Sequence, residues 1–206
     1  MNVMAKIKTS EKILKCATRL FAQHGYDGTI MDDLAEQCGV NKASIYYHHK
    51  DKATLYENAL IALFTPIADA VVAAVSVEDD PVTRLESHIR MFARASADNP
   101  YFSAILMREL ASGGANMPVS ARRQMERVLA LLGETLLLGE SKNIFKPAET
   151  LIIHFMIVGT INLFVTSIPF RKALPGASRA DQRKNFDIES ASAQISKIII
   201  DSLLLK

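Results

Sequence analysis

The side chains best suited to recognition chemistry stand close together in one short stretch of the chain. This stretch holds Lys42, Ala43, Ser44, Tyr46, Tyr47, His48 and Lys52. A lysine can donate to guanine O6 and N7, and a tyrosine ring can pack on a thymine methyl group. A second lysine nearby can bind a phosphate and position the segment on a duplex. These residue types therefore favour contact with the major groove of DNA.

Two short helices joined by a tight turn would present these side chains. Thr29 followed by Asp32 forms a capping-box pattern, which predicts a helix that starts at Thr29. Gly39 can adopt the left-handed conformation that ends this helix. Asn41 can cap the next helix and Ile45 can anchor it in the core. The pattern predicts a helix-turn-helix, and we include Thr29 among the DNA-contacting residues.

Residues 10–60 resemble the DNA-binding domain of TetR-type (tetracycline-repressor-like) transcriptional regulators. The residues that carry the resemblance are Phe21, Gly25, Tyr26, Thr29, Asp33, Leu34, Ala35, Gly39, Val40, Ile45, Tyr46, Tyr47, His48, His49, Lys50 and Lys52. Two positions depart from the family pattern. His49 replaces a phenylalanine, and Ile30 replaces a small hydroxyl residue that touches phosphate.

The resemblance implies an all-α fold with two domains. Residues 1–55 would form a three-helix domain with the helix-turn-helix, and residues 56–206 a larger helical domain for ligand binding and dimerisation. It also implies a homodimer that binds a palindromic double-stranded DNA operator and releases it on binding a small-molecule effector. Repression is the expected regulatory outcome.

Charge and length agree with this interpretation. The 206 residues are sufficient for one small and one larger domain, and the net charge is only +2. Residues 1–52 carry 8 Lys or Arg against 6 Asp or Glu, whereas the remainder carries 16 of each. Lys6, Lys8, Lys12 and Lys15 oppose only Glu11, which predicts a basic arm beside the DNA-facing surface. Taken alone, such a run is typical of a solvated helix start.

The remaining sequence predicts helices throughout and no strand. We expect helices at 10–24, 29–38, from 41 to about 50, 52–77, 82–97, 100–112, 119–139, 148–168 and 189–205, with an exposed connection at 169–186. Pro66 predicts a kink or break in the fourth helix, because proline removes a backbone hydrogen bond.

Cys16 and Cys38 lie 22 residues apart on different predicted helices. Without a CxxC motif or a His/Cys cluster, this spacing favours reduced thiols in a reducing compartment and no bound metal, with Cys16 filling core. We expect no cofactor. Residues 1–10 hold lysines and no apolar run behind them, so we expect no signal peptide and a cytoplasmic location.

The run from residue 151 to residue 170 is nearly long enough to span a bilayer. His154, Thr160, Asn162 and Pro169 interrupt it, and this favours a buried helix over a membrane anchor. The resemblance implies that helices at about 148–168 and 189–205 pair with their copies in a four-helix bundle. Along the last helix, a matching apolar stripe is formed by Ile195, Ile198, Ile199 and Leu203.

Catalytic motifs are absent from the sequence. The five histidines are scattered, and there is no HExxH, no GxSxG and no glycine-rich phosphate loop. We therefore expect no enzyme. Two alternatives stay open: a small all-helical enzyme or carrier with a vestigial helix-turn-helix, and a DNA-binding protein without sequence preference.

An effector would bind among the apolar helices of the second domain. Histidines there are more often core residues than ligand contacts, and the aromatic and methionine side chains are also typical of ordinary core. The candidate effector contacts are His88, Phe92, Phe102, Met107, Arg108, Met125, His154 and Phe155. Arg108 followed by Glu109 suggests an exposed or interhelical ion pair, with an arginine that holds an anionic effector as the alternative.

Overall fold

The fold is all-α, as predicted. A computed structural model describes residues 3–99, 101–173 and 187–205, with side chains from residue 8 onward. The described helices are α1 (Val3–Gly28), α2 (Met31–Cys38), α3 (Lys42–His49), α4 (Lys52–Ser76), α5 (Pro81–Asp98), α6 (Phe102–Ala111), α7 (Val119–Ser141), α8 (Thr150–Thr166), α9 (Ile168–Ala173) and α10 (Ile188–Leu203).

Helices α1, α2 and α3 pack on one another, and α1 and α3 also pack on α4. Their shared core consists of apolar side chains that are fully buried, namely Ile13, Phe21, Leu34, Ile45 and Leu55. The burial of these side chains from four helices supplies the main force that holds the helices together, because short helices are marginally stable alone. The exposed surface of α3 therefore has a defined position relative to α1.

Helix α4 continues past the N-terminal helices into the second domain. It runs without interruption through Pro66, so of the predicted kink or break, the break is wrong. Pro66 lies on the exposed side of α4, where water can satisfy the carbonyl that loses its partner, while Leu63 and Ile67 are buried on the other side. Packing against α5 and α7 holds the helix on both sides of the proline. The expected domain boundary after residue 55 falls inside α4.

The second domain surrounds α5 with other helices. Helix α5 packs against α4, α7, α8 and α10, and α8 also packs against α6 and α7. Within the described residues, the chain forms no strand beyond an isolated bridge between Phe145 and Leu204. This bridge ties the loop after α7 to the end of α10.

Several predicted boundaries require correction. Helix α1 begins at Val3 rather than at residue 10, and it has a non-helical residue at Gly25, where φ is 74°. Helix α2 begins at Met31 rather than at Thr29. The connection expected at 169–186 begins with a short helix, α9, and residues 174–186 lie outside the described part of the chain.

The cysteines are bonded to each other, so the expectation of two reduced thiols is wrong for this structure. Cys16 on α1 and Cys38 at the end of α2 form a disulfide, with their Cα atoms 5.7 Å apart. Cys38 is buried and Cys16 is only half-buried. Packing of α2 on α1 brings the two residues together, which their separation along the chain does not reveal. Among the described residues, no cluster of three His, Cys, Asp or Glu side chains could hold a metal.

One described helix, α4, is long and apolar enough to cross a membrane by length and composition alone. Much of its apolar surface is buried against α5, α7 and α1, which is typical of the core helix of a globular domain. Helix α8, which lies in the apolar run noted in the sequence, is shorter, with 17 residues.

Candidate nucleic-acid interface

The turn between α2 and α3 has the predicted geometry. Gly39 is left-handed with φ of 60°, and its N–H donates to the Glu36 carbonyl at 3.0 Å. The Val40 N–H donates to the Ala35 carbonyl at 3.0 Å. Asn41 caps α3, since its side-chain oxygen accepts from the Ser44 N–H at 2.7 Å. Together these contacts supply hydrogen-bond partners for backbone carbonyls at the end of α2 and for a backbone N–H at the start of α3.

Two buried side chains hold α3 against the domain. Ile45 is completely buried, and His49 is buried between α1 and α4. Nε2 of His49 lies 3.4 Å from the Ser10 carbonyl, and Asn58 approaches Nδ1 at 3.3 Å. Burial lowers the pKa of His49, which favours the neutral ring. Where the family has a phenylalanine, this chain therefore has a polar bridge between α1 and α4.

The opposite face of α3 is open to solvent. Lys42, Ala43, Tyr46 and Tyr47 are exposed, with Tyr47 at 60% of its full exposure, while Ser44 and His48 are half-buried. The rings of Tyr47 and His48 meet edge to face with their centroids 5.2 Å apart. The structure thus brings six of the eight predicted DNA-contacting residues onto one short helix.

Lys42 already has a partner in this conformation. Its ammonium group lies 2.8 Å from the carboxylate of Asp32, at the start of α2. The hydrogen bond with Asp32 raises the pKa of Lys42, so the side chain remains a cation. Both side chains are largely exposed, and such pairs exchange readily for other partners. A DNA base would therefore compete with Asp32 for the Lys42 ammonium group.

Thr29 lies apart from the exposed face of α3. Its side chain is buried and its hydroxyl donates to the Gly25 carbonyl at 2.7 Å, which closes the turn after α1. Ile30 occupies the N-cap position of α2 and supplies no side-chain cap. The predicted capping box is therefore wrong, because the chain turns one residue later than expected. We remove Thr29 from the DNA-contacting set.

Lys52 is the eighth predicted residue, and it stands at the start of α4. A cation there opposes the helix dipole, and a bound phosphate would compensate for it. The structure offers other compensation: Asp51 caps α4 by accepting from the Thr54 N–H at 2.7 Å, and the Lys52 ammonium lies 4.5 Å from the centre of the Tyr26 ring. Its half-buried position is thus explained without DNA.

Helix α6 of the second domain forms hydrogen bonds to two helices of the N-terminal region, α1 and the start of α4. Arg108 donates to the carbonyls of Ala22 and Gln23 on α1, at 3.0 and 2.7 Å. Buried Glu109 accepts from the hydroxyl of Tyr56 on α4 at 2.5 Å. Burial, followed by this hydrogen bond, raises the pKa of Tyr56, so the hydroxyl keeps its proton. Instead of the expected exposed or interhelical ion pair, Arg108 and Glu109 each hydrogen-bond to a different helix.

Sequence patterns do not reveal these contacts. Tyr56 and Glu109 are 53 positions apart, and nothing in the local pattern of either helix marks one as the partner of the other. The sequence suggests Arg108 as an effector contact, but its guanidinium points to the end of α1. We therefore remove Arg108 from the effector set.

A small apolar cavity lies among five helices of the second domain. Its walls include Phe64 of α4, Phe92 of α5, Phe102 of α6, Met125 of α7 and His154 of α8, and its volume is about 30 Å³. The structure thus gathers four of the predicted effector residues around one space. His88 is buried one helical turn before Phe92, close enough to His154 for the charges of the two rings to interact.

Two further predicted effector residues lie elsewhere. Met107 is 37% exposed on α6, and Phe155 is 57% exposed on the outer side of α8. Both are excluded from the effector set by the rotation of their helices. Their neighbours Leu106 and His154 point into the domain instead.

Comparison with known proteins supports the helix-turn-helix assignment. Residues 13–59 match the family described as bacterial regulatory proteins, TetR family. The biofilm operon icaADBC HTH-type negative transcriptional regulator IcaR of Staphylococcus aureus strain Newman is 30% identical over 105 residues, which cover 45% of this chain and 56% of that protein. IcaR of Staphylococcus epidermidis is 37% identical over 59 residues, which cover 29% of this chain and 32% of that protein. The chain spans about half the length of the first of these relatives.

The whole chain also shares its fold with solved structures. A TetR family transcription regulator from Marinobacter aquaeolei VT8 superposes with a TM-score of 0.74 at 17% identity, over 100% of both chains. At this identity the similarity shows the fold alone. The family match and the relatives that share it identify residues 13–59 as a DNA-binding domain of the TetR family, and the helical architecture of the whole chain is similar to that of the solved regulator.

Proposed function

We propose that the protein is a homodimeric transcriptional repressor that binds a palindromic DNA operator and releases it on binding a small-molecule effector. The observation that carries this proposal is the exposed face of α3, where Lys42, Ala43, Tyr46 and Tyr47 project from a helix anchored by Ile45. Buried anchors with exposed donors and rings are what a recognition helix needs in a major groove. IcaR, a negative regulator by its name, supports the direction of regulation.

Selection of bound sites from random duplex DNA tests sequence-specific binding. A homodimer should enrich a palindrome whose half-sites are one or more helical turns apart, about 34–36 Å per turn. Lys42→Ala should relax the preference at one base position and weaken binding roughly 5- to 100-fold. Val77→Ala, at an exposed position at the end of α4, provides the control that should change neither. Recovery of unrelated sequences would instead indicate a non-specific DNA-binding protein.

Lys52→Ala tests the phosphate assignment separately. A lysine that binds phosphate should weaken binding to all sequences and reduce the salt slope by about one unit when removed. If Lys52 serves only to pack on Tyr26, the salt slope stays constant while thermal stability falls. In that case Lys52 would leave the DNA-contacting set.

The outer face of α8 supports the dimer. Its exposed apolar side chains recur at helical spacing, and they are Leu151, Ile152, Phe155, Met156 and Leu163. Gly159 lies within this face, and a Cβ atom added there would meet open space, so a second helix can approach closely. A contiguous apolar stripe of this length is typical of a protein interface. We propose that a second copy of the chain covers it.

Helix α10 contributes less to this face than its sequence suggested. Ile199 and Leu203 are buried within their own subunit, where α10 packs on α5, and only Ile198 of the predicted stripe is strongly exposed, at 64%. The expected stripe is thus divided between the subunit core and the outer surface. We retain α10 in the proposed bundle through Ile198.

Light scattering after size-exclusion chromatography tests the interface. Phe155→Glu should convert a dimer to a monomer, because it places a charge in the centre of the apolar stripe. The monomer should also lose high-affinity binding to the full palindrome, since one half-site supplies too little affinity alone. Leu137→Glu, at an exposed apolar position on α7, is the matched control. A Phe155→Glu protein that stayed dimeric would exclude this interface.

The contacts of α4 support ligand response. Phe64 and Ile67 form part of the cavity wall, and Tyr56, near the start of the same helix, bonds to Glu109 next to the DNA-binding domain. A ligand that enlarges the cavity would therefore displace a helix that contacts both domains, and would change the distance between two recognition helices. By linkage, DNA must weaken ligand binding by the same factor. We place this activity in the cytoplasm, where operator DNA is accessible. We propose no enzymatic activity, because the matching family is one of bacterial regulatory proteins.

A further inference from the structure

The cavity in the second domain is too small for a metabolite in the described conformation. Its volume of about 30 Å³ gives room for only about two water molecules. Any effector must therefore separate the surrounding helices. Its contacts with the cavity walls must supply the binding free energy that this separation costs. The composition of those walls then determines which chemical class of ligand can bind.

Aromatic rings form much of the wall. Phe102 of α6 meets Phe64 of α4 at a centroid distance of 4.8 Å and Phe92 of α5 at 6.1 Å, both edge to face. These rings come from three helices and meet at the cavity. A ligand ring inserted among them can take the same edge-to-face positions, which aromatic pairs prefer.

Two buried histidines carry polar groups without partners: His154 lines the cavity, and His88 lies on α5 one turn before Phe92. Neither ring nitrogen of His88 has a hydrogen-bond partner in the described structure, and Nδ1 of His154 has none either. His88 is 1% exposed and His154 8% exposed, so neither ring is open to bulk solvent. Burial lowers the pKa of both histidines, that of His88 to about 3, and both rings are neutral at physiological pH. A neutral imidazole offers one donor and one acceptor.

Among the described residues that line the cavity none is charged, and charged side chains on the surrounding helices have other partners. Arg84, one turn before His88 on α5, donates to the Thr135 hydroxyl and the Glu78 carbonyl. Arg108 donates to carbonyls of α1, and Glu109 accepts from Tyr56. A charged ligand group would therefore be buried among neutral side chains without a counter-ion, which is strongly unfavourable.

We propose that the cavity binds a neutral phenolic ligand, whose ring packs among Phe64, Phe92 and Phe102 and whose hydroxyl bridges His88 and His154. The hydroxyl donates to one imidazole nitrogen and accepts from the N–H of the other. An arene without the hydroxyl fills the same space but leaves the histidines without partners. A benzoate brings a charge that no neighbouring group neutralises. This inference names the chemical class of the effector and rests on the ligand response proposed above.

Calorimetric titration with a matched set of probes tests the class. The set is para-propylphenol, para-propylanisole, propylbenzene and para-propylbenzoate, which differ only at the polar end. The phenol should bind about 10-fold or more tightly than the anisole and propylbenzene, because only its hydroxyl both donates and accepts. The benzoate should not bind measurably. Equal affinity for phenol and arene, preference for the benzoate, or no binding of any probe would overturn the proposal.

Two variants separate ligand recognition from folding. His88→Leu and His154→Leu should retain propylbenzene binding and lose the preference for the phenol, so that the affinity ratio falls towards one. A merely structural histidine would change both affinities together, and a retained preference in both variants would overturn the proposal. Met107→Leu, on the exposed side of α6, is the control that should preserve the ratio.

Operator DNA recovered by selection distinguishes this inference from the proposed function. Phenol binding that lowers DNA affinity supports both. Phenol binding with unchanged DNA affinity supports the site and overturns the ligand response. Specific DNA binding with no probe bound overturns the site and leaves the DNA-binding proposal in place.

Discussion

The hydroxyl of Tyr56 and the carboxylate of Glu109 form a buried hydrogen bond of 2.5 Å between α4 and α6. Both residues are at most 3% exposed, and Oε2 of Glu109 has no partner in the described structure. This bond joins the helix that leaves the DNA-binding domain to a helix of the cavity wall. Removal of this hydrogen bond therefore leaves the buried carboxylate of Glu109 without its donor.

Tyr56→Phe should lower the free energy of unfolding by about 1–3 kcal/mol, because it leaves the Glu109 carboxylate buried without a donor. Urea denaturation measures this change. The double variant Tyr56→Phe with Glu109→Leu should recover part of the loss, since both polar groups are then removed. A single variant as stable as the original protein would show that the Glu109 carboxylate finds another hydrogen-bond donor in solution.

Asp32→Asn should strengthen DNA binding about 2- to 5-fold at low salt, because it releases Lys42 and removes a negative charge near the DNA-facing surface. Fluorescence anisotropy with operator DNA measures the affinity. Asp33→Asn removes an equal charge from the same turn of α2 without touching the Lys42 contact. Equal gains in the two variants would mean that general repulsion matters and the ion pair does not.

Stability should decrease as the pH falls below about 6.5, the ordinary value for histidine. Burial lowers the folded-state pKa of His49, His88 and His154, so below this pH the unfolded chain binds protons that the folded chain rejects. The loss should reach up to about 1.4 kcal/mol per pH unit for each such histidine. Above this range the contribution is fully present. Urea titrations between about pH 7.5 and 4.5 measure the slope.

His88→Leu should flatten this slope, because burial lowers the pKa of His88 to about 3 in the folded chain. The cap carboxylates titrate in a separate window. Backbone hydrogen bonds lower the pKa of Asp51, Asp80 and Asp187 below 3.8, so their contribution is lost only under more acidic conditions. An unchanged slope in His88→Leu would contradict the assignment.

Gly139→Ala should destabilise the protein by about 1–3 kcal/mol, because a Cβ atom on α7 would overlap the buried ring of Phe145. Thermal denaturation measures the effect. Gly133→Ala on the same helix is the matched control: its Cβ would lie 3.6 Å from Thr150, an ordinary contact, and alanine stabilises a helix by up to about 1 kcal/mol relative to glycine. Equal effects at both positions would show that Phe145 can move away.

Reduction should destabilise the DNA-binding domain by about 2–4 kcal/mol, because the Cys16–Cys38 bond restricts the unfolded chain. The midpoint of urea denaturation should therefore fall when dithiothreitol is added. The Cys16→Ser, Cys38→Ser double variant should show no response to the reductant. Iodoacetamide labelling of the denatured, unreduced protein would contradict the disulfide, since the bonded sulfurs cannot react.

Features that depend on a few neighbouring residues were predictable from sequence. Gly39 ends α2 and Asn41 caps α3 because turn geometry and capping use local backbone groups. The periodic burial of Ile13, Ala17 and Leu20 follows from the helical repeat. The same local chemistry accounts for most of the exposed residues of α3, and the motif that they form is sufficient to indicate the family.

Features that depend on which helix faces which were decided only by the tertiary structure. The Thr29 hydroxyl donates to the Gly25 carbonyl instead of capping α2. Ile199 is buried in the core of its own subunit instead of facing a partner. Cys16 forms a disulfide with Cys38, and Glu109 accepts a hydrogen bond from Tyr56, although both pairs are far apart in the chain. A helix can satisfy its local rules at many rotations and positions. Only the packing of all apolar faces at once selects one of them, and that selection determines the partners of every buried polar group.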